Sequence, residues 1–150
     1  MIITDTIFKS YGLPIAGEIP AQRLTAAIRD AENLIIRRSI GDANYKLLGE
    51  MQPTSEELAG GEIVDAEGVM HFVVGAHCAI SYIAFAYLLS YDVIATNFGS
   101  VRKVDDKSEH VNTLPLCRQF LEAGEVWMQE LCEAKGWKWK SQNLVFRKLL

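Results

Sequence analysis

The side chains best suited to metal or nucleophilic chemistry are few: His71, His77 and His110, with Cys78, Cys117 and Cys132. Structural zinc sites space their ligands closely, as Cys-x-x-Cys or as paired histidines one helical turn apart. No pair here has such spacing. His77 and Cys78 are adjacent, so on a helix they would project about 100° apart. A reactive thiolate needs an accessible, electropositive setting, whereas Cys78 lies within a long apolar run. His77 and Ser81, one turn apart, read as a satisfied polar contact between packed helices. Gly60-Gly61 has no following Lys-Ser or Lys-Thr and opens no strand-Gly-helix fingerprint, so no phosphate cradle is expected. The acids, such as Glu56-Glu57 and Asp105-Asp106, read as solvated. The residues therefore predict a non-enzymatic protein with no catalytic group, no cofactor and no metal.

The frame that positions these residues follows from composition. The chain has 150 residues, 15 Lys and Arg against 19 Asp and Glu, a net charge of −4, and 49% hydrophobic content. That length suits one domain, and a chain of this size buries roughly 70% of its unfolded surface, so a core forms without staples. Collagen-like, low-complexity and disulfide-scaffold classes are excluded. Three cysteines without close spacing read as reduced, semi-buried thiols in a cytoplasmic setting. Asp5 and Lys9 interrupt the first apolar stretch, so no secretory leader is expected. Phe72 to Tyr91 is uncharged for twenty residues, long enough to span a bilayer. It holds Gly75, His77, Ser81, Ser90 and tyrosines, has acids on both flanks, and lacks an orienting cluster of Lys or Arg. A helix apolar on every side is also what the centre of a bundle requires, and no membrane partner is expected.

Periodicity supplies the elements. Asp5 to Tyr11 reads as a short helix ended by Gly12. Pro20 opens a helix to about Arg38, with Leu24, Ala27, Ile28, Ala31, Leu34 and Ile35 on one stripe. Asp42 can cap a short helix that continues through about Leu48. Thr54 and Glu57 have capping-box spacing ahead of a single helical turn. Ile63–Val64 and Val69–Val73, around Asp65-Ala66-Glu67-Gly68, read as a β-hairpin at about 62–73. A long helix follows from about Val74 to Thr96, stopped by Asn97-Phe98-Gly99, and Ser100 to Val111 reads as a polar loop. The last helix spans about Thr113 to Lys135. Its buried stripe is Cys117, Phe120, Leu121, Gly124, Trp127, Met128 and Leu131, its wet face Glu122, Glu125, Gln129 and Glu133, and Gly136 its cap. In the tail, Trp137 and Trp139 alternate with Lys138 and Lys140, the two-residue period of a half-buried strand. From Lys135 onward the charge is +5 with no acid, so residues 1–134 carry −9. The expected fold is mainly α: a three-helix core bundle with short extra helices, a small hairpin and a strand-like C-terminal tail, divided as 1–136 and 137–150.

The basic tail, with Trp137, Trp139, Phe146 and Arg147, also has the composition of a nucleic-acid contact: cations for phosphates and rings for stacking. The competing reading is an amphipathic terminal strand whose rings pack on the body.

The segment ELAGGEIVDAEGVMHF, followed by VVGAHCAISYIAFAYLLSYDVIATNFGSVRKVDDKSEHV, resembles small tailed-phage and prophage proteins of gut Bacteroidetes. In these a Gly-Gly hairpin leads into an aromatic- and Ala-rich helix and then a Thr-x-x-Gly-x-x-x-Lys-x-x-x-x-Ser loop. Thr96, Gly99, Lys103 and Ser108 match that loop, and the resemblance covers residues 58–111. The order of elements also resembles helical head–tail connector (adaptor) proteins of long-tailed phages. The hairpin departs from a purely helical connector core. The resemblance implies a connector-like domain over 1–136 and a virion assembly protein, put together in the bacterial host cytoplasm. It implies a homo-oligomeric ring contacting portal or tail-completion proteins, with DNA only as passing cargo. Loop 97–111 and tail 137–150 are then the docking segments. A nucleic-acid-binding accessory protein is the alternative function.

Overall fold

The structure, a computed structural model, describes residues 1–13, 20–90, 93–95, 101–103 and 114–141. It is mainly helical with a small β-hairpin, as the periodicity predicts. Helix α1 (Asp5–Ser10) begins where the Thr4 hydroxyl accepts the Ile7 N–H, and it seats Phe8 fully buried beside Ile3.

The next helical rod is α2 (Ala21–Asp30), a π-helical segment (Ala31–Ile36) and α3 (Arg37–Ile40). Pro20 stands at its N-cap. The buried positions pair as Ala27/Ile28, Ala31/Glu32, Ile35/Ile36 and Ser39/Ile40, repeating every four residues. In a regular helix each such step advances about 40° around the axis, so the pairs would wind off the core. The wider π turn takes back that drift and holds them in one line. Leu34, expected in the stripe, is only half-buried for this reason, and Glu32 takes its place inside.

Gly41, at φ +87°, ends α3 and starts α4 (Asp42–Glu50). Asp42 does not cap this helix as expected. It is the first helical residue, and its carboxylate accepts Arg37 Nε at 2.6 Å. Helix α5 (Glu56–Ala59) is one turn, as predicted, but its N-cap is Ser55 rather than Thr54, and no capping-box bond forms.

Strands β1 (Gly61–Val64) and β2 (Met70–Val73) pair antiparallel, with Gly61 opposite Val73 and Val64 opposite Met70. Gly60 and Gly75 meet at the hairpin's root. A Cβ on Gly60 would lie 2.5 Å from the Val74 carbonyl oxygen, and one on Gly75 would lie 2.5 Å from the Gly60 nitrogen. Both have positive φ, so only glycine fits either the space or the backbone.

Helix α6 (Ala76–Ser90) is the centre of the bundle. All its residues are buried except half-buried Tyr82 and exposed Ser90. It packs chiefly on α7 (Leu114–Lys135), then on α2. Gly124 of α7 permits close approach, since a Cβ there would sit 2.5 Å from Ile83 Cγ1 and 2.7 Å from the Ala79 carbonyl oxygen. Beside that crossing, Tyr82 and Phe85 of α6 stack edge-on or tilted with Phe120 and Trp127 of α7, at centroid distances of 4.6–5.2 Å. Among the described residues no helix is long and apolar enough to cross a membrane.

Two expectations for this region are corrected. The central helix stops at Ser90, not near Thr96, and the described residues beyond it, up to Lys103, are strand. Val93–Ala95 forms β3, antiparallel to β4 (Val101–Lys103), with Val93 opposite Lys103. The Ser90 hydroxyl donates to the Tyr87 carbonyl at 2.7 Å, competing with the last helical turn. Val93 and Ile94 are β-branched and favour the extended backbone that follows. On α7, Glu125 is buried rather than on the wet face.

Gly136, at φ +71°, closes α7, and the Trp137 N–H bonds back to the Cys132 carbonyl at 2.8 Å, a Schellman-type cap. From Trp137 to Lys140 half-buried rings alternate with exposed lysines, the strand-like period expected. No ladder forms there. The Lys140 N–H donates instead to the Ser39 carbonyl at 2.9 Å.

Candidate functional site

The hairpin carries the most exposed apolar surface of the described residues. Its turn is fixed locally. The Asp65 N–H donates to the Val69 carbonyl, the Gly68 N–H donates to the Asp65 carbonyl, and Gly68 at φ +84° supplies the left-handed position. The Asp65 carboxylate accepts the Glu67 and Val69 N–H groups, each at 2.9 Å, and lies 2.7 Å from His71 Nε2. His71, then the Val69 N–H, hold the Asp65 carboxyl below the usual carboxylate range.

That turn sets the register, and the register sorts the faces. Ile63 and Val73 point inward and are buried. Glu62, Val64, Met70 and Phe72 take the opposite face, Val64 directly across from Met70 and Glu62 across from Phe72. Phe72 is 70% exposed, Val64 64%, Val69 52% and Met70 51%. Together with Val69 at the turn, these side chains leave on the order of 400 Å² to solvent, the size of the largest apolar patch on a typical monomer, and such patches are often functional. The sequence signal for it was present but easy to miss: Val69, Met70, Phe72 and Val73 are apolar at both odd and even positions. A two-stranded ribbon can bury only one of those faces on its own body.

The residues expected to dock partners fall as follows. Thr96, Gly99, Ser108, Phe146 and Arg147 lie outside the described residues. Lys103 is the last residue of β4, not part of a loop. Trp137 and Trp139 pack half-buried on the core, and Lys135 Nζ sits 5.9 Å from the centre of the Trp137 ring. The same Lys135 pairs with Glu57 at 3.1 Å, tying the end of α7 to α5 at the hairpin's base. Burial works to raise the Glu57 pKa, but its own N–H and Lys135 lower it by more.

The groups weighed for chemistry are dispersed. His77 is buried, and burial alone pushes its pKa down, so it is neutral near pH 7. The Ser81 hydroxyl donates to the His77 carbonyl within α6, at 2.7 Å, in place of the expected contact between helices. All three cysteines are reduced thiols and are buried rather than semi-buried. Burial pushes the Cys132 thiol up to about 11 and raises Cys78 as well. Among the described residues no three His, Cys, Asp or Glu side chains gather where an ion could sit.

Glu32, in the π-helical segment, is a buried carboxylate with several donors. It accepts the Ile2 N–H, the Ile3 N–H at 3.4 Å and the Tyr45 hydroxyl at 3.0 Å. Burial raises its pKa, and the hydrogen bonds from Ile2, Tyr45 and Ile3 offset part of that rise. The same burial and the Glu32 charge push Tyr45 to about 12. This arrangement joins three chain segments, and its oxygens face protein donors.

Comparison with protein-family models, with curated proteins and with solved structures gives no match.

Proposed function

We propose that this protein is a non-enzymatic assembly component of head–tail connector type, working in a phage or prophage virion by associating with copies of itself and with adjoining portal or tail-completion proteins. The observation that carries this reading is the outer face of the β1–β2 hairpin. Val64, Met70 and Phe72 stand in solvent on that face, with Val69 at the turn beside them, the largest cluster of exposed apolar side chains among the described residues. Repeated copies that bury such a face against a different surface of the next copy make heterologous contacts, and these close into rings when the rotation permits. A body of net negative charge fits a conduit through which DNA passes without being gripped.

The alternative, nucleic-acid binding through the tail, draws support from exposed Lys138 and Lys140. Against it, Trp137 and Trp139 pack on the core, which occupies the rings on which bases would stack. Sedimentation velocity of the full chain over a range of concentrations, with electron microscopy of the largest species, tests the proposal. Ring-shaped multimers are expected. A monomer at every concentration would overturn the proposal. Tail-dependent DNA binding with a steep salt slope would favour the alternative.

A further inference from the structure

The hairpin's outer face has a charge pattern that selects its partner. Between Leu47 and Val101 the sequence contains seven acids and no Lys or Arg. Two of those acids, Glu62 and Glu67, are exposed beside Val64, Met70 and Phe72. The far end of the chain is its complement. From Lys135 onward there are five bases and no acid, and Leu144-Val145-Phe146-Arg147-Lys148-Leu149-Leu150 combines apolar residues with two adjacent cations.

A symmetric pairing of two hairpins is the simplest alternative, and two magnitudes argue against it. It would bury on the order of 400 Å² per copy, about half of what a standard stable interface buries per partner. It would also bring Glu62 and Glu67 of both copies together with no cation between them, and like charges placed opposite one another destabilise a sheet. A basic, apolar strand meets the same face without the like-charge cost, and a copy that both gives and receives one buries two such contacts instead of one. Among the described residues β1 and β2 pair only with each other, so each has an outer edge. Neither strand carries the Lys or Pro that natural proteins use to blunt such edges.

We propose that residues 142–150 of one copy add as a strand to the β1–β2 hairpin of the next, with Leu144, Phe146 and Leu150 extending the apolar outer face, Lys148 on that same side meeting its acids, and Arg147 adding positive charge at the rim from the other side. Main-chain bonds along the edge supply affinity, and the side chains supply selectivity. The contact is head-to-tail, so every copy both gives a tail and receives one. This deepens the self-association proposed above and rests on it.

Charge reversal in the full-length chain tests the pairing, read as the self-association constant by sedimentation velocity. The variants are Glu62→Lys with Glu67→Lys, Arg147→Glu with Lys148→Glu, and all four together. The hairpin substitutions are at exposed side chains, and circular dichroism checks that every variant keeps its helix content. Each double variant is expected to weaken association about tenfold or more, and the quadruple variant to restore it to within about threefold of the parent. An oligomer indifferent to both double variants would overturn the hairpin–tail contact while leaving self-association standing. So would a quadruple variant no better than either double. A parent chain that is monomeric throughout would overturn self-association itself, and a tail folded back on its own hairpin belongs to that outcome.

Discussion

Glu32 shows how much one side chain can organise. Its carboxylate lies out of solvent and gathers donors from the chain's first residues and from α4, through Ile2, Ile3 and Tyr45. Removing an acceptor strands its donors, and each buried group left unpaired costs about 1–3 kcal/mol. Glu32→Ala is therefore expected to lose about 2–4 kcal/mol in urea denaturation. Glu32→Gln, which keeps one acceptor oxygen and removes a buried charge, should lose less. Asp65 sets a different dependence. Its pKa is lowered in the fold from an ordinary value of 3.8, by His71 and by the Val69 N–H. A depressed carboxylate adds stability that is complete above its unfolded value and is lost as pH falls through its folded one. Hydrogen exchange at the Gly68 and Val69 amides should accordingly accelerate below about pH 4, and Asp65→Asn should remove most of that pH dependence.

At the scale of elements, the crossing of α6 and α7 depends on Gly124. A methyl group there would meet Ile83 and the Ala79 carbonyl well inside contact distance. Overpacking of this kind costs about 1–3 kcal/mol, more than the gain of about 1 kcal/mol from replacing glycine within a helix. Gly124→Ala is expected to lower the thermal midpoint by several degrees, and Gly124→Val by more. Gly124 was legible in the sequence as part of the buried stripe, as were the α7 boundaries, the hairpin and the charge-free central helix. What escaped was local. The π turn was invisible because the Leu24-to-Ile35 stripe reads acceptably at helical spacing, and only the four-residue recurrence through Ile40 shows that a regular helix would drift. The early end of α6 escaped because Val93-Ile94-Ala95 continues an apolar run without punctuation, leaving periodicity nothing to arbitrate. Glu125 looked wet because a charged residue beside a stripe usually is. The apolar hairpin face escaped because the docking residues were sought in polar loop and basic tail.

For the whole molecule, the tail has two parts with different duties. Trp137 and Trp139 pack on the core, and the Lys140 N–H reaches Ser39, so the chain is anchored to the body as far as Lys140. Truncation after Ser141 should preserve helix content and thermal midpoint while reducing self-association, whereas truncation after Gly136 should lower the midpoint as well. Circular dichroism melts paired with sedimentation separate the two. The glycines at the hairpin's root decide how the ribbon is aimed. With Gly60 beside the Val74 carbonyl and Gly75 beside the Gly60 nitrogen, the two backbones approach too closely for a side chain to fit between them. Any side chain at either position would have to lever the ribbon's root away from the start of α6, so the direction in which the hairpin projects depends on two methyl groups that are not there.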